Sequence, residues 1–285
     1  MNNKTILITG GEGFIGSALA LSLSSENKVI SIDNHLNSFA RERHENVKYF
    51  DANAKDISVV LNGIQPDIVY HLGEYARVES SFDKFDVILH NNYRQFFEIC
   101  EYCNKVDAKL IYSGSSTIFS KPQINFVPSP YQTFKKHNVE FLKDYAKYKN
   151  LRYAIVYFYN VYGPGEIAEG EFSTVVARFL NNARCGFPLK VTLPGTQRRN
   201  FTHIDDIVKG LKIVGMFGTG DDYGIGAKES YSIIEVAKMF SKKITFFHLL
   251  LHLKWWAMTG SNCRPSRCKR DALPTELIAH FKVRV

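Results

Sequence analysis

Cysteine is scarce in this chain, and its spacing matches neither a disulfide framework nor a metal site. The cysteines are Cys100, Cys103, Cys185, Cys263 and Cys268. Cys100 and Cys103 have CxxC spacing within a helical pattern, but no second Cys pair or His pair follows at the spacing of a zinc site. We therefore expect buried or half-buried thiols, no bound metal and a reducing, cytoplasmic location.

Segments that would direct the chain into a membrane are also missing. The N-terminus leads straight into a strand pattern, which predicts no signal peptide. Residues 244–258 are rich in Phe, Leu and Trp, yet they are few for a bilayer span and include His248, His252 and Lys254. We expect no membrane span, and a segment lying on a membrane surface is the alternative for this stretch.

The chain has little net charge outside its C-terminal end. Of the formal net charge of +8, residues 241–285 account for +7, because they hold nine Lys and Arg against two Asp and Glu. A basic protein suggests a nucleic-acid partner, but the nearly neutral remainder argues against one. We interpret residues 241–285 as an atypical basic tail, in which a frame-shifted or fused end is favoured over an amphipathic segment.

Apolar strands alternate with helices through the first half of the sequence. The 285 residues, 45% of them hydrophobic, suffice for one large domain or two small ones. Strand patterns lie at residues 5–9, 28–32, 47–50, 67–71, 109–113 and 153–158, and helical patterns at 14–25, 55–62, 85–103 and 131–149. This order predicts an α/β fold with a doubly wound parallel sheet, whose ligands bind at the carboxyl ends of the strands.

After residue 165 the regular alternation of strands and helices ends, which predicts a second, smaller region. Loops lengthen there, one helix is expected at about residues 173–184, and a last one runs from Ser232 to Phe240 with the capping-box pair Ser232 and Glu235. The predicted division is a main domain over residues 1–165, to which 198–218 return, a substrate-binding region over 166–240, and the tail. The smaller region is expected to be truncated and to cover the carboxyl edge of the sheet.

Glycines follow the first strand at spacings of three. Gly10, Gly13 and Gly16 come directly after the apolar run at residues 6–8, and a helical pattern opens at Phe14. Glycines let the backbone turn sharply and approach a ligand, while the free N–H groups and dipole of the helix favour a pyrophosphate. The second strand ends in Asp33, at the distance where an acid binds an adenine ribose. The pattern predicts a dinucleotide site.

Tyr131 and Lys135 are four residues apart at the start of a predicted helix. This spacing places both side chains on one face, and a nearby ammonium lowers the pKa of a phenol. The pair could then remove a proton from an alcohol while hydride leaves the same carbon. A solvated tyrosine and lysine is the alternative.

Several polar side chains near strand ends have more ambiguous patterns. Hydroxyls close the strand at residues 109–113, where Ser115 could hydrogen-bond a reacting oxygen, whereas Ser113 is favoured as a strand-end cap, as are Ser116 and Thr117. One guanidinium of the Arg198–Arg199 pair could grip a diphosphate. His71 and His203 lie on apolar strand patterns and are expected to be structural.

In combination, these motifs resemble the extended short-chain dehydrogenase/reductase family, in its nucleotide-sugar epimerase and dehydratase branch. The resemblance covers about residues 3–240 and rests on Thr9-Gly-Gly-Glu-Gly-Phe-Ile-Gly16, His71-Leu-Gly73, Ser113-Gly-Ser115, Tyr131-xxx-Lys135, Asn160-Val-Tyr-Gly-Pro164 and Arg199-Asn-Phe-Thr-His-Ile-Asp-Asp206. It implies a Rossmann sheet and a dinucleotide cofactor. Asp33, with no adjacent arginine, favours NAD over NADP.

The resemblance also implies roles for individual positions. Catalysis falls to Ser115, Tyr131 and Lys135, and substrate binding to Ser115, Asn160 and Arg199. The positions implied for NAD binding are Gly10, Gly13, Phe14, Ile15, Gly16, Asp33, Asn34, Asn37, Ser38, Asp51, Ala52, Leu72, Gly73, Glu74, Asn92, Ser113, Tyr131, Lys135 and Phe158.

Three departures from the family pattern bear on the reaction. The usual His-Leu-Ala-Ala segment reads His71-Leu-Gly-Glu here, so that Glu74 adds a charge near the cofactor. Dehydratases of the family carry Asp-Glu directly after the catalytic hydroxyl, where this chain has Ser116 and Thr117, which favours an epimerase because elimination of water needs an acid and a base. The family's C-terminal segment is absent or replaced after about residue 240.

The sequence thus predicts an NAD-dependent 4-epimerase that acts on a UDP-sugar by transient oxidation at C4. A 4,6-dehydratase or 4-keto reductase, and a truncated, inactive NAD-binding protein, are the alternatives. The expected partners are the nucleotide-sugar substrate and a second copy of the chain, which would form a homodimer through the helices at residues 85–103 and 131–149. No nucleic acid is expected to bind.

Overall fold

The computed structural model describes residues 1–36, 42–119 and 127–247. The strands are β1 Thr5–Thr9, β2 Lys28–Asp33, β3 Val47–Asp51, β4 Ile68–His71, β5 Lys109–Ser115, β6 Tyr153–Phe158, β7 Val161–Tyr162, β8 Leu189–Thr192, β9 Arg198–Arg199, β10 Thr202–His203, β11 Gly220–Ile225, β12 Tyr231–Ser232 and β13 Ile244–Phe247. The helices are α1 Phe14–Ser24, α2 Ile57–Leu61, α3 Phe85–Ile88, α4 Gln95–Val106, α5 Pro130–Lys149, α6 Val175–Arg184, α7 Ile204–Phe217 and α8 Ile233–Phe240.

The predicted doubly wound parallel sheet is confirmed. Seven strands pair in the order β11-β6-β5-β4-β1-β2-β3, and all of the pairs are parallel. The chain leaves β1 in one direction to form β2 and β3, and β4 then returns to the other side of β1. This reversal opens a crevice at the carboxyl ends of β1 and β4, which is where ligands bind on such sheets.

The core has one layer on each face of the sheet, as expected for strands that alternate their side chains. Leu7 of β1 points into a cluster built with α4 and α5, whereas its neighbours Ile6 and Ile8 point into a cluster with α1 and α7. All three side chains are fully buried. Strand β1 is therefore covered on both faces, which fixes the position of the glycine turn that follows it.

The outermost strand next to β6, β11, was not anticipated from the sequence. Its residues GDDYGI contain no apolar run, and Gly and Asp disfavour strands. Tertiary contacts hold it in place: the hydroxyl of Tyr157 on β6 donates to Asp221 Oδ1 at 2.8 Å, and Lys143 of α5 forms an ion pair with the same carboxylate. Residues 204–225 thus return to the main sheet as α7 and β11.

The single helix expected over residues 85–103 is instead three consecutive pieces. A π-helical segment, Leu89–Arg94, lies between α3 and α4. Such wide turns are rare and often occur at functional sites. This one buries Asn92, whose side chain accepts from the Tyr75 N–H and donates to the Tyr75 carbonyl, both at 2.8 Å. The π-helical segment therefore holds the loop that follows β4.

A third, separate apolar cluster forms the smaller region beside the carboxyl edge. It joins α6, β8 and α8, with Leu189 and Val191 of β8 fully buried at its centre. The capping box predicted for α8 is confirmed, because the Ser232 and Glu235 side chains bond reciprocally to the backbone. Ordered structure was expected to end at about residue 240, but Ile244–Phe247 forms β13, parallel to β8. The rest of the tail, residues 248–285, lies outside the described residues.

Two sequence predictions concern the cysteines and the possibility of a membrane span. Cys100 and Cys103 are buried free thiols on α4, and burial raises the pKa of both. None of the helices within residues 1–36, 42–119 and 127–247 combines the length and hydropathy that a membrane span needs.

Candidate active site

The glycine turn after β1 leaves no room for side chains at two positions. Gly10 has φ +69°, and a Cβ there would lie 2.6 Å from the Cα of Gly73. A Cβ on Gly16 would lie 2.1 Å from the Gly10 carbonyl oxygen. Gly13 is the N-cap of α1 and caps it with no side chain, so the first N–H groups of the helix face the crevice without a side-chain acceptor. Phe14 and Ile15 open the helix.

Asp33 lies at the carboxyl end of β2, next to the glycine turn. Its carboxylate accepts from the Glu12 N–H at 3.0 Å and from the His35 N–H at 2.9 Å, and the residue is 5% exposed. The Ala52 N–H donates to the Asp33 carbonyl at 3.0 Å, which brings the end of β3 alongside. The structure thus gathers the predicted ribose and adenine positions at one edge. Asn37 and Ser38 lie outside the described residues.

A charged cluster that the sequence did not reveal surrounds Asp51. The Arg43 guanidinium pairs with Glu12 and Asp51, and His35 Nε2 lies 2.8 Å from Asp51 Oδ1. These contacts, the His35 hydrogen bond first, lower the pKa of the Asp51 carboxyl. Glu12, His35 and Asp51 each offer a ligand atom within 4.8 Å of the others. Because an arginine already neutralises the two acids, we interpret the cluster as an ion-pair network.

The loop after β4 packs its backbone against the glycine turn. The Leu72 N–H donates to the Thr9 carbonyl at 3.1 Å, and a Cβ on Gly73 would lie 2.8 Å from the Gly10 nitrogen. The Glu74 side chain is buried and forms an ion pair with Lys135. Asn34 Nδ2 donates to Asn91 Oδ1 at 3.0 Å, which links the end of β2 to the π-helical segment. Because Gly10 and Gly73 lack side chains, the loop after β4 and the glycine turn pack backbone against backbone.

The local sequence of α5 explains how Tyr131 and Lys135 are held. Ser129 is the N-cap, its hydroxyl accepts from the Gln132 N–H, the Gln132 side chain bonds back to the Ser129 backbone, and Pro130 occupies the first turn. Tyr131 is 8% exposed and Lys135 is 3% exposed. The alternative of two solvated side chains is therefore wrong. Lys135 Nζ donates to the Ser113 carbonyl at 2.5 Å and forms an ion pair with Glu74.

The hydroxyls at the end of β5 divide into two roles. Ser113 Oγ donates to the His71 carbonyl at 2.9 Å, which joins β5 to β4, as a strand-end cap would. Ser115 Oγ lies 2.8 Å from Thr117 Oγ1 at the carboxyl edge, and Ser115 is paired with Phe158 of β6. Ser115 therefore stands at the same edge of the sheet as the glycine turn.

The predicted substrate residues Asn160 and Arg199 come from the loops that lead to the smaller region. Asn160 Nδ2 donates to the Asn200 carbonyl at 3.3 Å, and the Thr202 N–H donates to the Asn160 carbonyl at 3.2 Å. Arg199 is 7% exposed, and burial lowers the pKa of its guanidinium. A guanidinium is suited to a diphosphate, which it can bind through two parallel hydrogen bonds.

Both histidines singled out in the sequence are structural. His71 Nδ1 lies 2.7 Å from Thr9 Oγ1, and its ring stacks with Phe96 and Tyr112 at centroid distances of 5.9 and 6.1 Å. Burial, and then the charge of Lys135, lower the pKa of His71 to about 3. His203 caps α7 by accepting from the Asp205 N–H.

Arg77 is a site residue that the sequence pattern did not indicate. It follows β4 by six positions, and its Nε donates to the Glu171 carbonyl at 2.9 Å while its guanidinium lies 5.1 Å from the Phe172 ring centre. Burial lowers the pKa of Arg77, and the neighbouring Tyr131 opposes that shift. The only sequence signal that could have indicated Arg77 is its position shortly after the carboxyl end of β4. Arg77 links Tyr131 to the smaller region.

Comparison with known proteins identifies the family. A model of the NAD dependent epimerase/dehydratase family matches residues 6–226 of the chain. The chain belongs to this family. The resemblance to extended short-chain dehydrogenase/reductases that act on nucleotide sugars is thereby confirmed.

Members of the epimerase/dehydratase family that resemble this chain carry out different reactions. The chain is 29% identical over 281 residues to a dTDP-D-glucose 4,6-dehydratase of Dictyostelium discoideum, a match that covers 84% of this chain and 63% of that protein. It is 27% identical over 266 residues to UDP-glucuronic acid decarboxylase 5 of Arabidopsis thaliana, covering 85% and 75%. The structure of epimerase Mth375 from Methanothermobacter thermautotrophicus matches with a TM-score of 0.81 at 25% identity, covering 90% and 83%.

NAD is the cofactor of this epimerase/dehydratase family, and the residues in the crevice fit it. At Gly10 and Gly16 the backbone packs too closely for any side chain, the N-terminus of α1 follows this turn without a side-chain cap, and Asp33 ends the second strand beside it. A pyrophosphate at the helix N-terminus and a ribose near the acid match these groups.

Proposed function

We propose that the chain is an NAD-dependent nucleotide-sugar 4-epimerase that acts on a UDP-sugar. The observation that carries the proposal is the arrangement of α5, which buries Tyr131 and Lys135 together beside the carboxyl end of β5, where Ser115 stands. The crevice at the same edge holds the glycine turn. An acid–base pair beside a dinucleotide site supports reversible oxidation of an alcohol.

The side chains have distinct tasks in the proposed reaction. Tyr131, as phenolate, takes the proton of the sugar's 4-hydroxyl, and Ser115 donates a hydrogen bond to the same oxygen. The charge of Lys135 favours the phenolate. Bound NAD would supply the hydride acceptor for oxidation at C4 and the hydride donor for re-reduction of the 4-keto sugar from its opposite face. Tyr131 then gives its proton back to the new alcohol.

The substrate's nucleotide portion is proposed to bind where the smaller region meets the crevice. Arg199 would hold the diphosphate and Asn160 the sugar. A UDP-glucuronic acid decarboxylase among the relatives supports a UDP-linked sugar. The remaining NAD contacts named from the resemblance, the domain boundaries, the cytoplasmic location and the homodimer stay predictions. Exposed Phe97 on α4 supports a partner surface on the α4–α5 face.

Tyr131→Phe tests the proposed function. The variant keeps the ring but cannot accept or donate the proton, so kcat on a UDP-hexose should fall by roughly 10²–10⁴-fold. Retained NAD, measured by ligand analysis of the purified protein, should be unchanged. Tyr148→Phe is the matched control, because Tyr148 lies on the same helix and is 83% exposed. Turnover of Tyr131→Phe near the parent rate would rule the assignment out.

A 4,6-dehydratase is the second candidate, and the Dictyostelium relative favours it. Ser116 and Thr117 argue against a dehydratase, because neither supplies the carboxylate that elimination of water needs. Product analysis separates the reactions. An epimerase converts one UDP-hexose into its isomer at constant mass and constant NADH. A dehydratase product has lost one water, and a 4-keto reductase consumes NADH in proportion to product.

A further inference from the structure

A buried acid contacts the catalytic lysine in this chain. Glu74 and Lys135 form an ion pair, and their side chains are 2% and 4% exposed. A carboxylate and an ammonium removed from water interact strongly, because the interior screens charges poorly. The pair is thus a specific feature of the site and not a solvated surface contact.

The groups around the pair donate hydrogen bonds to the Glu74 carboxyl group. The Tyr112 hydroxyl of β5 donates to Glu74 Oε1 at 3.1 Å, and Asn138 Nδ2 of α5 donates to it at 3.3 Å. Burial raises the pKa of Glu74, while Lys135, Tyr112 and Asn138 act in the opposite direction. Donors that converge on a carboxylate favour its charged form.

The other titratable groups facing the pair add no charge of their own near neutral pH. His71 Nε2 lies 3.7 Å from Glu74 Oε1, but burial keeps this imidazole neutral by lowering its pKa to about 3. The pKa of Tyr112 is raised well above its usual value by burial. Cys100 of α4 also lies within the electrostatic influence of Glu74, and burial raises the pKa of this thiol. Tyr131 is the remaining titratable neighbour on α5, and it interacts electrostatically with Arg77 of the loop after β4. Glu74 and Lys135 therefore dominate the electrostatics behind Tyr131.

Two opposite charges act on the Tyr131 phenol. The ammonium of Lys135 favours the phenolate, whereas a carboxylate in contact with that ammonium cancels part of its field and also disfavours a second negative charge nearby. Lys135 has two further contacts that do not depend on Glu74, because it donates to the Ser113 carbonyl and lies 4.9 Å from the Tyr112 ring centre. Removing the acid should thus expose Tyr131 to the full charge of Lys135.

We propose that Glu74 is a positioning residue that holds Lys135 one helical turn from Tyr131, and that its charge opposes formation of the Tyr131 phenolate. The proposal rests on the proposed function of Tyr131 as the acid–base group. An enzyme without the acid would reach its active, ionised form at lower pH, so Glu74 sets the pH range in which the site works.

Glu74→Gln tests this proposal through the pH profile of kcat/KM. Glutamine keeps the shape and an acceptor for Lys135 but removes the charge. The acid limb of the profile should move to lower pH by about one unit, which gives a roughly tenfold higher kcat/KM relative to the plateau at pH values below the parent limb. Glu140→Gln is the matched control, because Glu140 pairs with Lys136 on the same helix with both side chains more than 60% exposed. An acid limb that stays in place or moves upward would overturn the proposal.

A second measurement separates this proposal from the proposed function. Phenolate absorbance is titrated in the parent and in Glu74→Gln, each with and without Tyr131→Phe, so that the difference isolates Tyr131 and needs no turnover. A downward shift of that titration supports the role of Glu74 even if no UDP-sugar reacts. An unchanged Tyr131 titration contradicts it even if the epimerase activity is found.

Glu74→Ala provides the same test should the glutamine variant fail to fold. Alanine removes the charge as well, so the same downward shift of the Tyr131 titration is expected. Loss of folding in both variants would overturn the proposal, because the acid would then be a structural partner of Lys135 and not a regulator of Tyr131.

Discussion

Single side chains connect the two halves of the site through the protein interior. Thr9 ends β1 and bonds His71 of β4, whose neighbour in space, Glu74, contacts Lys135 of α5. Buried polar groups are costly unless they are paired, so a chain of them is expected where function requires it. The cofactor turn and the acid–base helix are thereby held at a fixed separation by polar contacts as well as by apolar packing.

His71 should make the stability of the protein depend on pH. An unfolded histidine titrates near 6.5, whereas burial holds the pKa of His71 at about 3. The unfolded chain takes up a proton below pH 6.5 and the folded protein does not, so stability is complete above 6.5 and is lost as the pH falls toward 3. Between pH 6.5 and pH 5 this group should cost about 2 kcal/mol of unfolding free energy.

Urea unfolding at pH 7 and pH 5 checks this contribution. His71→Gln cannot titrate, so its loss of stability between the two pH values should be smaller than that of the parent by about 2 kcal/mol. His137→Gln, which changes an exposed histidine on α5, should keep the parent's difference. Equal differences in His71→Gln and the parent would show that His71 is not the titrating group.

Individual elements set the orientation of the site residues. The N-terminus of α5 is fixed by a reciprocal cap and a proline, so that Tyr131, two residues after the cap, starts the helix in one orientation. The π-helical segment does the same for the loop after β4, since Asn92 bonds both backbone groups of Tyr75. Both features are local. The cap of α5 orients Tyr131 toward the crevice, and the π-helical segment orients the loop after β4 toward it.

Ser129→Ala should lower activity by more than its cost in stability accounts for. Loss of an N-cap hydroxyl destabilises a helix by about 1 kcal/mol, and here it also loosens the turn that carries Tyr131. We expect a lower unfolding midpoint and a several-fold lower kcat on the UDP-sugar. Asp67→Ala is the control, because Asp67 accepts from the Thr5 N–H at 2.8 Å at the opposite edge of the sheet. If both variants lose stability and activity in proportion, the cap has no special role in the site.

The described part of the molecule divides its apolar packing between the main sheet and the smaller region. Two clusters cover the faces of the sheet, and the third, around Leu189 and Val191, belongs to the region that carries β8 and β13. Clusters that share few side chains can open separately. The NAD crevice depends on the first two clusters, and the proposed substrate contacts lie next to the third.

Leu189→Ala should loosen the smaller region selectively. Leu189 is fully buried, and truncating such a side chain costs about 2–5 kcal/mol. Hydrogen exchange measured by mass spectrometry should rise in α6, β8, α8 and β13 and stay close to parent values in β1–β5. Leu110→Ala, an equally buried site in the sheet, is the matched control and should show the reverse pattern. Uniform exchange in both variants would mean that the three clusters unfold as one unit.

Local chemistry explains why much of the fold could be predicted from the sequence. The strands β1 to β6, the glycine turn and the α5 face that carries Tyr131 and Lys135 follow from apolar runs, glycine spacing and a helical repeat, all of which are short-range signals. These features depend on residues close in sequence, so neighbouring residue types suffice to indicate them.

Long-range contacts decided what the sequence could not show. The strand β11 contains no apolar run and is held by Tyr157 and Lys143, which are more than sixty residues away. The meeting of Glu74 with Lys135, and of Arg77 with Tyr131, likewise joins loops and helices from distant parts of the chain. Such pairs form only when the sheet order brings strand ends together, because their strength depends on distance and burial and not on spacing along the chain.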